Sequence, residues 1–260
     1  MLSLQRALPT TNEKRAFTNI DLMDSLHIIT PVKDSIDSTI ETMEAVVASE
    51  LDVPYTYTLY NDFSTPENTK RLHREAARLG VEVIDLATLT DHPSPNYLLV
   101  LQRCQRLALE ADAGLLIVES DVTVKPHTLQ SLYDAAQRHA DSGIVAAVTV
   151  DEQEAINYPY LYARGWEGRE VDTKKHCSFC CSLLTPQLLR AFDFNKLDAA
   201  KNWFDVTISH ASLAAGLHNY LLCQQTVLHR PHGSRPWKQL KYSNPLKYYW
   251  RKWTKGFDKI

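Results

Sequence analysis

Two carboxylates stand one residue apart where an apolar run of the sequence ends. Leu115–Val118 leads directly into Glu119, Ser120 and Asp121. Because side chains alternate along an extended chain, Ser120 between them would place both carboxylates on the same side. Oxygen ligands on one side suit a hard divalent cation such as Mg²⁺ or Mn²⁺, which also binds substrate phosphates. The alternative is a pair of solvated turn residues after a strand.

Three kinds of metal-and-phosphate chemistry use such a pair. A P-loop ATPase is excluded because the sequence has no G-x-x-x-x-G-K-[ST] run. A phosphohydrolase of the haloacid dehalogenase type needs a nucleophilic Asp where this chain has Glu119. A nucleotide-sugar enzyme, whose acidic side chains hold the cation on a diphosphate, fits the residues best.

The elements that must position these carboxylates alternate between strand and helix over the first 150 residues. Apolar and β-branched runs predict strands at 27–33, 55–62, 81–86, 114–118 and 144–150. This alternation predicts an α/β fold with a Rossmann-like, mostly parallel central sheet flanked by helices. The carboxyl ends of such strands form one ligand-binding edge, where the two carboxylates would lie.

Four short motifs follow one another at predicted strand or helix ends. They are PVKD at 31–34, NDFST at 61–65, ESD at 119–121 and FDVTISH at 204–210. Together, over about residues 25–237, they resemble the GT-A fold glycosyltransferases of family 2. The resemblance implies transfer of a sugar, with inversion, from a nucleoside-diphosphate donor, expected to be UDP-linked, to a glycan or lipid-linked acceptor.

The resemblance also implies roles for individual residues. Asp121 and Glu119 would bind Mn²⁺ or Mg²⁺, and Asp205 would act as the base that deprotonates the acceptor hydroxyl. Trp203 and Phe204, beside Asp205, are expected to form a sugar-binding wall. The donor nucleotide would be bound by residues of the first three motifs: Pro31, Val32, Asp34, Asn61, Asp62 and Ser120.

Several of these residues have plainer alternative roles. Asp34 and Asp62 also suit helix-capping or turn positions, and Asp205 suits a helix cap. His229 follows the last predicted strand, which predicts a role in completing the metal site; the alternative is an ordinary core histidine. Arg235 is predicted to pair with a donor phosphate, and the alternative is a surface arginine.

The motifs also depart from the family pattern. Glu119 replaces an Asp, Phe204 a Glu, His210 an Arg and Phe63 a Gly. Two rival functions therefore stay open. One is a non-catalytic sugar-nucleotide-binding relative, and the other is a metal-dependent nucleotidyltransferase or phosphohydrolase.

The five cysteines predict buried thiols in a reducing compartment. Three of them cluster at Cys177, Cys180 and Cys181 beside His176, which raises a zinc hypothesis. A structural zinc site usually needs a second ligand pair at set spacing, and no such pair is visible in the sequence. Buried thiols in a strand are therefore the preferred interpretation.

The sequence divides into a polar lead-in (1–24), a nucleotide-sugar-binding half (25–150), an acceptor half (151–237) and a C-terminal tail (238–260). Residues 233–260 contain eight Lys or Arg and one Asp, a balance of +7. The whole chain carries −3, so the remainder carries −10. With no apolar run long enough for a membrane span, the predicted location is cytoplasmic, and no nucleic acid partner is expected.

The tail is predicted to form a helical extension with an aromatic face. Helical spacing places five apolar side chains together: Leu246, Tyr249, Trp250, Trp253 and Phe257. A basic amphipathic helix with tryptophans suits peripheral contact with the inner face of a membrane. The alternative is a helix that packs on the catalytic domain.

Overall fold

The computed structural model describes residues 23–200, 203–230 and 244–255. Within these ranges, nine strands form one sheet. In chain order the strands are β1 (Leu26–Val32), β2 (Tyr55–Asn61), β3 (Glu82–Asp85), β4 (Gly114–Val118), β5 (Val122–Thr123), β6 (Ser142–Val150), β7 (Glu170–Asp172), β8 (Cys181–Leu184) and β9 (His218–His229).

Seven α-helices accompany these strands in the described ranges. They are α1 (Ile36–Val47), α2 (Pro66–Leu79), α3 (Tyr97–Glu110), α4 (Thr128–Arg138), α5 (Pro186–Ala191), α6 (Phe204–Ala214) and α7 (Pro245–Lys255). Helix α2 shows why the local sequence sets these boundaries. The Thr65 side chain accepts the backbone N–H of Asn68, Pro66 opens the first turn, and Gly80 ends the helix at φ 70°.

The strand order is β3-β2-β1-β4-β8-β6-β9-β5, with β7 paired to β9. Four of the eight pairings are parallel and four are antiparallel. The α/β class is confirmed, but the prediction of a mostly parallel sheet is wrong, because the sheet is mixed. The chain reaches β8 from loops at the carboxyl end of β6, so β8 runs backwards between β4 and β6.

Helices cover both faces of the sheet, as predicted. Leu116 and Val118 of β4 belong to the core beneath α1, α2 and α4. Leu115 and Ile117 belong to the core beneath α3, α5 and α6. This alternation explains why β4 is apolar throughout. None of the helices in the described ranges combines the length and apolarity that a membrane crossing requires.

The strand order reverses between β1 and β4. From β1 the chain proceeds outward to β2 and β3, and then returns to place β4 on the other side of β1. The order 3-2-1-4 is that of one half of a doubly wound sheet, whose ligands bind at this reversal, beyond the carboxyl ends of the strands. Glu119 directly follows β4 at that place.

Candidate functional site

A cluster of four polar side chains lies beyond the carboxyl end of β4. The cluster consists of Glu119, Asp121, Cys180 and His229. One ligand atom each from Glu119, Cys180 and His229 lies within 4.8 Å of the other two. Asp121 Oδ2 is 3.4 Å from His229 Nε2, and the side chains of Asp121 and His229 are only 9% and 4% exposed. The structure thus brings together all three predicted metal ligands.

A short antiparallel pairing brings His229 to the carboxylates. Val122 of β5 pairs with His229 at the end of β9, and the Arg230 N–H donates to the Asp121 carbonyl at 3.1 Å. His229 lies 108 positions after Asp121 in the sequence. Pairing with the two-residue strand β5 therefore positions His229 beside the carboxylates.

The predicted reason for the convergence of the two carboxylates is wrong. The chain is not extended at Ser120, because the Val122 N–H donates to the Glu119 carbonyl at 3.1 Å and closes a turn. Ser120 is buried within that turn. It is the turn, and not strand alternation, that sets where the two carboxylates lie.

The orientation of His229 suits a metal ligand. Its Nδ1–H donates to the Tyr158 carbonyl at 2.8 Å, which leaves Nε2 facing Asp121. Metal-binding histidines characteristically donate their other ring N–H to a carbonyl or carboxylate, which fixes the tautomer and the ring.

Sequence reasoning missed Cys180 as a member of the site. Its thiol donates to Glu119 Oε2 at 3.3 Å. The antiparallel pairing of Val118 with Cys181 sets Cys180 beside Glu119. The other two clustered cysteines are buried, and neither belongs to this group. Only the pairing of β8 with β4 distinguishes Cys180, and the sequence does not reveal that pairing.

Burial and neighbouring charges shift the pKa values of Glu119 and His229 in the cluster. Burial raises the pKa of Glu119, and the negative charge of Asp121 raises it further. Burial alone would lower the pKa of His229, but the hydrogen bond and charge of Asp121, with the charge of Glu119, outweigh it and raise that pKa. A bound divalent cation would relieve the repulsion between the carboxylates. Two carboxylates and an oriented imidazole therefore fit such a cation.

Tyr97 connects this cluster to the start of α6. Its hydroxyl is buried and has no hydrogen-bond partner in the described part of the chain. Burial raises the pKa of Tyr97, and the charges of Glu119 and Asp205 raise it further. Both carboxylates thus lie within electrostatic reach of the Tyr97 hydroxyl. Tyr97 is the first residue of α3, and no motif in the sequence marks its hydroxyl.

Asp205 occupies the first turn of α6 and not its cap. The N-cap is Trp203, which makes no side-chain capping bond. Asp205 Oδ1 accepts the Val206 N–H at 2.9 Å, and the positive end of the helix dipole favours its ionised form. Its charge also contributes to the raised pKa of Glu119, so Asp205 and the cluster belong to one electrostatic site.

Phe204 does not form the expected sugar-binding wall. Its side chain is buried in the core, and its ring centre lies 6.3 Å from that of Tyr97. Trp203 is half-buried and keeps part of its surface accessible. Phe204 therefore contributes to core packing beside Tyr97.

The predicted donor-binding turns after β1 and β2 are bound to each other. Asp34 Oδ1 accepts the Thr65 N–H at 2.7 Å, and the Asp34 N–H donates to Ser64 Oγ at 2.9 Å. Phe63 adopts φ 55°, in the left-handed region that favours Gly. The turn after β2 thus holds a non-glycine residue in a left-handed conformation.

The side chains of Asn61 and Asp62 both hold neighbouring segments. Asn61 Nδ2 donates to Asp85 Oδ1 at 2.7 Å. The Asp62 carboxylate accepts hydrogen bonds from Ser94 and from the backbone and side chain of Asn96, at 2.7–2.9 Å. These contacts match the alternative role in turns, and donor binding by these residues stays a prediction.

The remaining predicted donor residues are placed only in part. Pro31 and Val32 are the last residues of β1 and pair with Tyr60 and Asn61 of β2. They lie at the expected edge. Arg235 falls outside the described residues, so its predicted phosphate contact is not tested.

No known family model matches this chain, and no curated protein matches it. A functional assignment therefore depends on the residues of the site and on their geometry.

Cation binding to the cluster should weaken as the pH falls. A cation requires ionised Glu119 and unprotonated Nε2 of His229, and both groups have raised pKa values. Protons therefore compete with the cation at higher pH than they would at ordinary side chains. Each displaced proton lowers the apparent affinity by up to about tenfold per pH unit below its pKa. Calorimetric titration with Mn²⁺ between about pH 8 and about pH 6 measures this.

A matched variant separates the two protons. His229→Gln removes the titrating ring and should flatten the pH profile while weakening Mn²⁺ binding. If the wild-type dissociation constant is the same across this pH range, the cation does not bind to Glu119 and His229.

Proposed function

We propose that this chain is an inverting glycosyltransferase that resembles the GT-A enzymes of family 2. It transfers a sugar from a nucleoside-diphosphate donor, expected to be UDP-linked, to a glycan or lipid-linked acceptor. The observation that carries the proposal is the convergence of Glu119, Asp121 and His229 at the strand-order reversal, with Asp205 in the same electrostatic site.

The donor would lie with its diphosphate at the cluster. Glu119, Asp121 and His229 would hold Mn²⁺ or Mg²⁺, which neutralises charge on the leaving diphosphate when bound. The imidazole and the nearby Cys180 thiol are softer ligands than oxygen and favour Mn²⁺ over Mg²⁺. The burial of the cluster strengthens every electrostatic interaction with the diphosphate.

Asp205 would perform the proton transfer. The acceptor oxygen attacks the anomeric carbon while the bond from that carbon to the diphosphate oxygen breaks, and the acceptor proton passes to Asp205. The electron pair of the broken bond leaves with the nucleoside diphosphate. Direct displacement inverts the anomeric centre and needs no covalent nucleophile. The positive end of the α6 dipole favours negative charge at this position, which suits a general base.

The two rival functions differ from this one in their products. A non-catalytic relative would bind the donor and release nothing. A nucleotidyltransferase would release pyrophosphate, and a phosphohydrolase would release inorganic phosphate. A glycosyltransferase releases a nucleoside diphosphate.

Donor binding should stabilise the protein only when Mn²⁺ is present. A ligand at about 100 times its dissociation constant adds about 2.7 kcal/mol to the free energy of unfolding. A thermal-shift screen of nucleotide sugars, with and without Mn²⁺, measures that gain. Analysis of the released nucleotide then assigns the reaction. If no nucleotide sugar raises the melting temperature with Mn²⁺, the proposed function is wrong.

A further inference from the structure

Helix α7 presents a row of large apolar side chains that the described protein leaves uncovered. Leu246 is 85% exposed, Tyr249 56%, Trp250 64% and Trp253 81%. They stand at positions i, i+3, i+4 and i+7, so they share one face of the helix. A contiguous exposed patch of this kind marks an interaction surface.

The packed-helix alternative predicts the opposite pattern of exposure. A helix that packed on the catalytic domain through its aromatic face would bury that face. Among the aromatic side chains described in α7, only Tyr248 is buried, at 7% exposure. Tyr248 is therefore shielded from solvent, while both tryptophans are exposed in the described part of the chain.

The charge of α7 indicates what covers this face. The helix contains four cationic residues and no acidic one, namely Lys247, Arg251, Lys252 and Lys255. Residues 233–260 together carry +7, whereas the remainder of the chain carries −10. An anionic surface would attract the tail and repel the rest of the protein, so contact would be confined to the tail.

The length of α7 defines how it meets a lipid surface. Eleven residues make a helix about 16 Å long, which is half of the hydrocarbon thickness. The helix therefore cannot cross a bilayer. It suits the interface, where tryptophan and tyrosine rings lie at the headgroup level and lysine side chains reach anionic headgroups.

We propose that α7 binds the surface of an anionic bilayer and lies in the plane of the interface, with Leu246, Tyr249, Trp250 and Trp253 among the headgroups. This binding needs neither donor nor cation, so it stands apart from the proposed glycosyl transfer. If the transfer is also correct, the acceptor is one that a membrane presents.

Co-sedimentation of the full chain with vesicles tests the proposal. Vesicles of phosphatidylcholine with about one third phosphatidylglycerol should bind it, and vesicles of phosphatidylcholine alone should not. Salt should weaken the binding. The double variant Trp250→Ala/Trp253→Ala should lower the partition constant by about tenfold for each ring removed. Lys247→Gln should lower it about fivefold.

Two control variants distinguish α7 from exposed apolar residues elsewhere in the chain. Leu89→Ala and Leu161→Ala, which alter exposed side chains elsewhere, should leave the partition constant unchanged. Both tryptophans are exposed, so the double variant should fold and keep its donor binding in the absence of vesicles. If the wild-type chain itself binds no donor, that result counts against the proposed function and not against membrane binding.

Three results would overturn the proposal. One is equal binding to neutral and anionic vesicles, and another is unchanged binding of the double tryptophan variant. The third is concentration-dependent self-association of the full chain that the double variant abolishes, since the basic tail would then be binding the acidic body of a second copy.

Brominated lipids should quench the tryptophan emission of the wild type much more than that of the double variant.

Discussion

Asp205→Asn should lower the turnover number by about 10²–10⁴-fold, the usual contribution of a general base. The amide cannot accept the acceptor proton, so the chemical step loses its base. Donor affinity should change little, because the proposed cation ligands Glu119, Asp121 and His229 are intact. Steady-state kinetics with a saturating donor, together with a direct donor titration, separates the two quantities.

This substitution carries its own structural control. Asn keeps an oxygen that can accept the Val206 N–H, the bond that Asp205 makes at the start of α6. The variant should therefore melt at nearly the wild-type temperature. If it melts normally and turns over at a near-normal rate, Asp205 serves α6 and not the reaction.

Asp121→Ala should remove the Mn²⁺-dependent part of donor affinity, a loss of at least about 100-fold. Replacing groups that merely support a metal ligand typically costs 10–100-fold, so removing a ligand should cost more. The variant loses the carboxylate 3.4 Å from His229 Nε2. Donor titration with and without Mn²⁺ measures the difference.

Glu152→Gln is a matched control for Asp121→Ala. Glu152 is an acidic side chain that follows β6 at the same edge of the sheet, and its ion pair with Arg230 is exposed. The Glu152→Gln substitution removes the same charge from the same edge. It should leave Mn²⁺-dependent donor affinity intact, because exposed ion pairs contribute little to stability. If the two variants lose affinity equally, the effect is general electrostatics and Asp121 is not a ligand.

The alternation of strands and helices could be predicted because each element depends mainly on residues that are close together in the sequence. Short windows of sequence are enough to recognise apolar runs bounded by polar residues, and helix-ending residues such as Gly80. The predicted strand at 114–118 is β4 without any change of bounds. The carboxylates after it lie at the edge that the alternation predicts.

The direction and neighbours of β8 could not be predicted, because they depend on pairings between distant residues. Cys180 reaches Glu119 only through the pairing of β8 with β4. The same holds for His229, which β5 and β9 bring to Asp121. Local sequence signals do not specify long-range pairing, so only its position after the last predicted strand favoured His229, and nothing favoured Cys180.

The pairing of β5 with the end of β9 also limits the distance between the cluster and α7. It fixes Arg230 beside the cluster that contains Asp121, and Asn244, where the described tail resumes, is 14 residues farther along. Fourteen residues span at most about 50 Å even when fully extended. If α7 rests on a bilayer, the cluster stands no farther than about that distance from the lipid. The hydroxyl of an acceptor would then have to lie within that distance of the bilayer, as it does in a short glycan on a lipid.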